Sequence, residues 1–307
     1  MSTIDPSLLH AAAAAAAGHQ SHPGATLYLV ATPIGNRADI TLRALHVLAQ
    51  ADAVACEDTR VTAQLLAHYG LARPLLALHA HNENEATARV CGRLAAGARV
   101  AYVSDAGTPG VSDPGARLVA GVVAAGFRVV PVPGPSSALA ALSVAGDVGA
   151  QGFVFRGFLP ARGAAREAAL QAVGTEAMAQ ILFEAPHRIA ELLEALALHA
   201  GSRSLTIARE LTKQFEEVAT LPAQAAPAWL AADAMHARGE FVLVVHAAAT
   251  SETKKEAEGL SPAAEHCLEV LQRELPLKQA VSLAAEISGA ARKLLYRRAL
   301  ARRSGED

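Results

Sequence analysis

The stretch that decides the fold is Ser104-Asp105-Ala106-Gly107-Thr108-Pro109-Gly110-Val111-Ser112-Asp113-Pro114-Gly115. It follows residues 99–104, an apolar run with the length of a buried strand. Its glycines and prolines allow sharp turns and a close approach of the backbone to a ligand. Asp113 is placed to cap a helix that would begin at Pro114. Open α/β sheets bind ligands at loops of this kind, although a tight structural turn would have the same composition.

A second loop of this type is Val132-Pro133-Gly134-Pro135-Ser136-Ser137-Ala138, after the strand predicted for residues 128–133. Small hydroxyl residues behind the Pro-Gly-Pro turn would begin a helix and present free N–H groups and hydroxyls to a ligand. We expect the two loops on neighbouring strands. Neither contains GxGxxG or GxxxxGK[ST], which excludes the usual dinucleotide fold and the P-loop. A nucleoside-type ligand held largely by backbone groups remains possible.

The pattern around these loops predicts the fold class. Strands are predicted at residues 27–31, 53–56, 75–78, 99–104 and 128–133, with helical segments between them. This alternation implies crossover connections, a mostly parallel sheet and an α/β fold. Beyond Gly146 further strands are predicted at residues 153–156, 180–183, 205–209, 215–220 and 241–246, with helices near 164–173, 186–198 and 227–237. Hairpin-like neighbours among them favour a mixed sheet.

Five segments follow from these patterns. The alanine-rich leader, residues 1–24, is interpreted as disordered. An N-terminal α/β domain is expected at residues 25–146 and a second α/β domain at 147–248. Residues 249–262 are interpreted as a polar linker. Residues 263–307 are predicted to form a small all-helical tail, with breaks near Pro276 and Gly289.

Charge separates the tail from the rest of the chain. The 27 basic and 29 acidic residues give a net charge of −2, which argues against a protein that coats nucleic acid by bulk charge. Residues 276–303, however, hold seven basic residues against the single acidic Glu286. Such a segment could bind a phosphate backbone or could be a solvated terminal helix. A helical wheel scatters its cations around the axis, so no single binding face is predicted.

The cysteines and the apolar runs bear on location. The three cysteines are far apart in the sequence and form no CxxC pair, which suits a reducing cytoplasm. No apolar run has the length of a bilayer span, and the N-terminus lacks the basic region of a signal peptide. We therefore expect a cytoplasmic protein without a membrane partner.

Nine segments, in this order, carry a family resemblance: TPIGN (32–36), EDTR (57–60), LHAHNE (78–83), SDAGTPGVSDPG (104–115), VPGPSSALAALSVAG (132–146), FVFRGFLP (153–160), FEAPHR (183–188), ARELTK (208–213) and GEFVLVV (239–245). Together they closely resemble the tetrapyrrole-methylase superfamily. Within it they are most similar to the 16S rRNA (cytidine-2′-O)-ribose methyltransferases, which modify a decoding-site cytidine. The tail also looks like that family's small helical tail.

The resemblance implies S-adenosylmethionine as the methyl donor, bound in the cleft between two α/β domains, and a homodimer that acts on 16S rRNA in the small ribosomal subunit. It also implies the donor-binding residues, which are Pro33, Asp105, Ala106, Gly107, Thr108, Pro133, Gly134, Ser136, Ser137, Phe183, Leu211 and Phe241.

Candidates on the acceptor side are fewer. Substrate contacts are expected from Arg60, Asn82, Arg188, Arg292 and Arg297, although Arg60 could equally pair with Glu57 or Asp58. Glu184 and His187 are candidate catalytic groups, and His187 could instead be structural, a phosphate contact or a base. His79 and His81 have metal-ligand spacing, but no third ligand is placed, so no metal site is predicted.

Lys213 is the one catalytic hypothesis beyond the resemblance. Residues 1–253 contain 16 arginines and only this lysine. A lysine kept against that bias could be needed for its compact ammonium or its tunable pKa. A ribose 2′-OH is a weak acid and needs a base or a cation beside it. We therefore expect Lys213 to orient or deprotonate the hydroxyl with Glu210 as its partner, the alternative being an ordinary surface lysine.

Two other functions stay open at this stage. A related enzyme could methylate a tetrapyrrole such as a precorrin or uroporphyrinogen, but a free tetrapyrrole gives no reason for the basic tail. A non-catalytic ribosome-assembly factor could keep the fold, although the intact glycine loops argue against a lost site.

Overall fold

The computed structural model describes residues 5–79, 82–248 and 260–304. Within them ten strands form two five-stranded sheets. The strands are β1 Thr26–Val30, β2 Ala53–Cys56, β3 Leu75–Ala77, β4 Arg99–Val103, β5 Arg128–Val132, β6 Phe153–Phe158, β7 Ala179–Glu184, β8 Ser204–Arg209, β9 Glu217–Pro222 and β10 Phe241–Val245. The longer helices are α1 Pro6–Ala17, α2 Leu42–Gln50, α3 Thr59–His68, α4 Glu83–Ala95, α5 Ala116–Ala124, α6 Ser137–Ala145, α7 Ala164–Thr175, α8 Ile189–Ala200, α9 Ala226–Ala232, α10 Pro262–Glu274, α11 Leu277–Ser288 and α12 Arg292–Ser304.

The first sheet has the strand order β3-β2-β4-β1-β5, and its pairings are parallel. This confirms the predicted parallel sheet and α/β class. One expectation was wrong, because β4 and β5 are not neighbours: β1 lies between them. The two glycine-rich loops therefore follow strands that have β1 between them.

The second sheet has the order β6-β7-β10-β8-β9. β10 pairs antiparallel with both β7 and β8, and β8 pairs antiparallel with β9. β10 is buried along its whole length, because it lies at the centre of this sheet with an apolar core on each face.

The leader was wrongly predicted to be disordered. Residues 6–17 form α1, which packs against α2 and buries Ala13 and Ala17. The Asp5 side chain caps it by accepting a hydrogen bond from the backbone N–H of Ser7 at 2.9 Å. Alanine has the highest helix propensity, and its small side chain lets the two helices approach closely. Residues 1–4 of the predicted leader lie outside the described part.

Two predicted helix starts were also wrong. Asp113 does not cap a helix, since α5 begins at Ala116 behind Gly115, which has a φ of 125°. Pro186 does not begin α8, because residues 185–188 form a turn and the helix starts at Ile189. In contrast, the hydroxyls of Thr41 and Ser136 cap α2 and α6 by accepting hydrogen bonds from backbone N–H groups.

The chain divides into two compact units. The first contains both sheets, and the second contains α10, α11 and α12 together with the segments Asp147–Phe153 and Thr175–Ala179. The predicted limit between residues 146 and 147 separates the two sheets, but the units do not follow it. Most of the predicted linker, residues 249–259, lies outside the described part, as do residues 305–307. No described helix has the length and apolarity to cross a membrane.

Candidate active site

Three loops at the carboxyl ends of β1, β4 and β5 are hydrogen-bonded to one another. Thr32 and Gly107 exchange two backbone hydrogen bonds, with N···O distances of 2.9 and 3.0 Å. The Thr108 hydroxyl donates to the carbonyl of Pro135 at 3.0 Å. Gly107 has a φ of 80°, which favours glycine. These contacts hold the loops predicted to bind a ligand as one rigid surface.

This surface forms one wall of a cavity of about 390 Å³, within the usual range for small-molecule sites. The second sheet supplies the opposite wall through the ends of β7 and β10 and the loop after β8. Eight of the twelve predicted donor-binding residues line it: Ala106, Gly107, Thr108, Ser136, Ser137, Phe183, Leu211 and Phe241.

The other four predicted donor-binding residues support the cavity from outside its lining. Pro33 and Pro133 shape the loops after β1 and β5. A Cβ on Gly134 would lie 3.0 Å from the Cβ of Ala31, so this glycine permits close packing of the two loops. Asp105 accepts a hydrogen bond from the backbone N–H of Asp58 at 3.1 Å and thereby joins the loops after β2 and β4.

Three carboxyl groups line the cavity, those of Asp113, Glu184 and Glu240, and no basic side chain of the described residues does. Burial raises the pKa of Asp113; a hydrogen bond with Ser104 opposes this shift, and the nearby Asp105 adds to it. A cleft lined by one sign of charge attracts a ligand of the opposite sign. Arg188 and Lys213 lie beside Glu184 and Glu240 and compensate part of this charge, but the cavity side of the lining is acidic and fits a cationic ligand such as a sulfonium.

Glu184 is the most unusual group in the lining. Its side chain is fully buried at the end of β7. Oε1 accepts a hydrogen bond from the N–H of Ala185 at 2.9 Å and lies 3.3 Å from Nε of Arg188. Oε2 is buried and has no hydrogen-bond partner among the described residues. A buried oxygen without a partner costs free energy, so Oε2 would gain from a hydrogen bond with a bound group.

Arg188, predicted to contact substrate, is used inside the protein. Besides its pairing with Glu184, its guanidinium donates to the backbone carbonyls of Leu159 and Pro160, at 2.9 and 3.4 Å. His187 is exposed and does not line the cavity. Glu184 therefore lines the cavity, whereas His187 and Arg188 do not.

Lys213 and Glu210 lie behind the cavity wall and form the predicted ion pair, with Nζ 2.8 Å from Oε1. Nζ also lies 3.0 Å from Oε2 of Glu240, which lines the cavity. Burial by itself would lower the pKa of Lys213, but its hydrogen bonds to the two carboxylates outweigh this, so the pKa is raised. Lys213 therefore stays protonated at neutral pH and is a poor base.

The loop that carries Lys213 interlocks with the loop after β1. A Cβ on Gly35 would lie only 2.5 Å from Cγ of Lys213, and the backbone N–H of Asn36 donates to the Thr212 hydroxyl at 3.0 Å. Glu210 and Thr212 have φ angles of 50° and 65°, strained values for residues other than glycine. This interlock places Leu211 in the cavity lining.

The remaining substrate candidates lie apart from the lining. Arg60 pairs with Asp58 at 2.7 Å and is exposed. Asn82 accepts a hydrogen bond from the N–H of His79 and donates one to the carbonyl of Ala77. His81 lies outside the described residues, and no group of three potential metal ligands occurs among those that are described. Arg292 and Arg297 belong to the second unit.

Sequence reasoning missed part of the lining. Asp113 was interpreted as a helix cap, and neither Glu240 nor Phe158 was singled out. The ring of Phe158 packs edge-on against that of Phe183, with centroids 5.6 Å apart. Glu240 lies within the motif GEFVLVV (239–245), so the resemblance could have pointed to it as a site residue.

The fold and the cavity define a methyltransferase class, and the comparisons agree. The family model of the tetrapyrrole (corrin/porphyrin) methylases matches residues 26–227, and that of the RsmI C-terminal HTH domain matches residues 258–303. A uroporphyrin-III-C-methyltransferase from Thermus thermophilus shares the fold, with a TM-score of 0.53 and 23% identity over 72% of this chain and 94% of that one. A diphthine synthase does so with a TM-score of 0.57 and 16% identity over 75% and 93%.

Curated relatives narrow this class. The chain is 49% identical to a "Ribosomal RNA small subunit methyltransferase I" of Xylella fastidiosa, over 90% of this chain and 99% of the relative. Proteins of that name from Pseudomonas aeruginosa and Escherichia coli O157:H7 are 47% and 45% identical, over 90% and 89% of this chain and 97% and 94% of theirs. The chain belongs to the tetrapyrrole methylase family and, within it, to this group of methyltransferases.

Proposed function

We propose that the protein transfers a methyl group from S-adenosylmethionine to the ribose 2′-oxygen of a decoding-site cytidine in 16S rRNA. The observation that carries this proposal is the acidic cavity with the free Oε2 of Glu184, in a chain similar over nine-tenths of its length to small-subunit rRNA methyltransferases. The protein is expected to act in the cytoplasm, as a homodimer, on the small ribosomal subunit.

The residues of the cavity fit the donor. The hydroxyls of Thr108, Ser136 and Ser137 offer hydrogen bonds to its polar parts, and the acidic side chains of the lining suit its positive charge. An electrophilic methyl group is the chemistry that the donor supplies when bound. The protein then has to align the nucleophile, exclude water and take up one proton.

We propose that Glu184 takes up that proton, because it is the lining carboxylate with an oxygen that has no partner among the described residues. The N–H of Ala185 and the guanidinium of Arg188 hold Oε1, which fixes the carboxylate and leaves Oε2 without a partner among the described residues. In this role Oε2 would accept the hydrogen bond of the 2′-OH and take up its proton as the methyl group leaves the donor's sulfonium for the ribose oxygen. Arg188 is thus a positioning residue.

Lys213 orients the site and does not act as its base. Because its pKa is raised, it stays protonated until the pH exceeds the ordinary lysine value. It holds Glu210 and Glu240 together behind the wall that carries Leu211. Of the two roles that the sequence suggests for Lys213, orienting the 2′-OH or deprotonating it, we therefore propose the first.

Replacing Lys213 by methionine, which is similar in length and uncharged, is expected to slow methyl transfer about tenfold, or about 1.4 kcal/mol in the activation free energy. Lys213→Arg is expected to keep most of the rate, because it restores the cation. Between pH 6 and 9 the rate should have the same pH dependence in Lys213→Met and the wild type. A titration on the alkaline side that disappears in Lys213→Met would mean that Lys213 is the base.

The direct test of the function is transfer of a tritiated methyl group from S-adenosylmethionine to small subunits isolated from a strain that lacks this activity. Nuclease mapping of the labelled rRNA is expected to find the label on the ribose of one cytidine. Label in a tetrapyrrole and not in RNA would overturn the proposal in favour of the tetrapyrrole enzyme. A protein that binds small subunits and labels nothing would be an assembly factor.

A further inference from the structure

Two grooves flank the last helix of the second unit. In α12 the side chains of Leu295 and Ala299 are buried, with α10 and α11 packed beside them. A groove of about 430 Å³ lies on one flank, lined by Lys278, Val281, Arg292, Lys293 and Tyr296. The groove on the other flank, of about 280 Å³, is lined by Leu260, Glu265, Leu294, Arg297, Arg298 and Ala301. Five of the tail's cations therefore line these two grooves, and the side chains of Arg302 and Arg303 lie outside the described part.

The two grooves differ in charge. In the first, Lys278 and Arg292 bring two positive charges, and no acidic side chain of the described residues lines the groove. In the second, Arg298 pairs with Glu265 at 3.1 Å, which cancels one of its two positive charges. The first groove is therefore the stronger site for a polyanion.

The first groove also offers an aromatic platform. Tyr296 lies one helical turn after Arg292, so both side chains are on the same face. It is 41% exposed, although the neighbouring Leu295 is fully buried. An exposed aromatic ring among cations is the arrangement with which proteins bind unpaired nucleotides, since the base stacks on the ring and the phosphates meet the cations.

We propose that this groove binds an unpaired RNA nucleotide, with its base stacked on Tyr296 and its flanking phosphates on Lys278 and Arg292. The inference rests on the proposed function, because it assumes an RNA substrate, and it adds a binding site for it. It also separates the two arginines predicted to contact substrate: Arg292 lies in the nucleotide groove, and Arg297 lies in the groove that contains an acidic residue.

The test measures equilibrium binding of the full-length protein to a fluorescein-labelled single-stranded RNA of ten nucleotides, across a series of salt concentrations. Tyr296→Ala is expected to weaken binding roughly ten- to a hundredfold, whereas Tyr296→Phe, which keeps the ring, should bind as the wild type does. Arg292→Gln should weaken binding and reduce the salt slope by about 0.7, the value of one phosphate contact to a single strand.

Two further variants separate this groove from bulk charge. Arg273→Gln removes an exposed cation that pairs with Glu269 on α10, and no change in binding is expected. Arg297→Gln is expected to weaken binding less than Arg292→Gln does. Tyr296→Ala with wild-type affinity and an unchanged melting temperature would overturn the proposal, as would equal losses in Arg292→Gln and Arg297→Gln. Methylation of small subunits by the wild type is measured separately, so a failure of the proposed function would be recognised as such.

Discussion

Replacing Glu184 by glutamine is expected to slow methyl transfer at saturating donor by about 10²–10⁴-fold, the usual contribution of a general base. Glutamine keeps the shape of the side chain and a hydrogen-bonding oxygen but cannot take up the proton. Single-turnover methylation of small subunits measures the effect. The change should lie in the chemical step, because the loops after β1, β4 and β5, which we propose to bind the donor, are untouched.

Two measurements make this result decisive. Donor affinity, measured by calorimetry without RNA, should fall much less than the rate does in Glu184→Gln, because Asp113 and Glu240 still line the cavity. If donor affinity falls and the rate at saturating donor stays, Glu184 binds the donor and is not the base. Glu191→Gln, an exposed glutamate in the first turn of α8, is the matched control and should behave as the wild type does.

Replacing Gly115 by alanine is expected to lower the free energy of unfolding by about 3 kcal/mol, from backbone strain and overpacking together. Gly115 has a φ of 125°, and an added Cβ would lie 2.5 Å from Cε1 of Tyr102. That ring is fully buried, and its hydroxyl donates to the carbonyl of Pro114 at 2.6 Å, so it cannot move aside without breaking this bond. Chemical denaturation followed by circular dichroism measures the loss.

Gly110→Ala is the matched control for this substitution. Gly110 lies in the same loop with a φ of 79°, but an added Cβ would meet no atom within 4 Å. Its cost should therefore be the backbone strain alone, about 1 kcal/mol. Equal losses in the two variants would show that the Tyr102 ring yields to the methyl group and that the packing argument fails.

The parts of the fold that local patterns encode were predictable. The strand at residues 53–56 has the predicted limits, because a short apolar run between polar turns leaves few alternatives. The alanine run was misjudged because its composition is that of low-complexity sequence, while its order depends on α2 as a packing partner. The start of α5 was misplaced because the strained backbone at Gly115, rather than the side chain of Asp113, sets where that helix begins.

The cavity wall formed by the loops after β4 and β5 could be predicted from the sequence. The wall formed by the second sheet was harder to predict. The loops after β4 and β5 carry their glycines and hydroxyl residues in sequence, and those residues line the cavity. The cavity positions of Asp113 and Glu240 depend on how the loops of the second sheet meet those of the first, which no local pattern records. The free Oε2 of Glu184 likewise follows from the burial around it and from the turn that gives Arg188 only to Oε1.

The interlock of Asn36 with Thr212 has a consequence for how the enzyme is made. These residues are 176 positions apart in the chain. At a synthesis rate of about 5–20 residues per second, the loop after β1 is made roughly ten to thirty-five seconds before its partner. During that interval a nascent chain can fold the first sheet but has only one wall of the cavity. Methyl transfer therefore begins only after most of the polypeptide has left the ribosome that makes it.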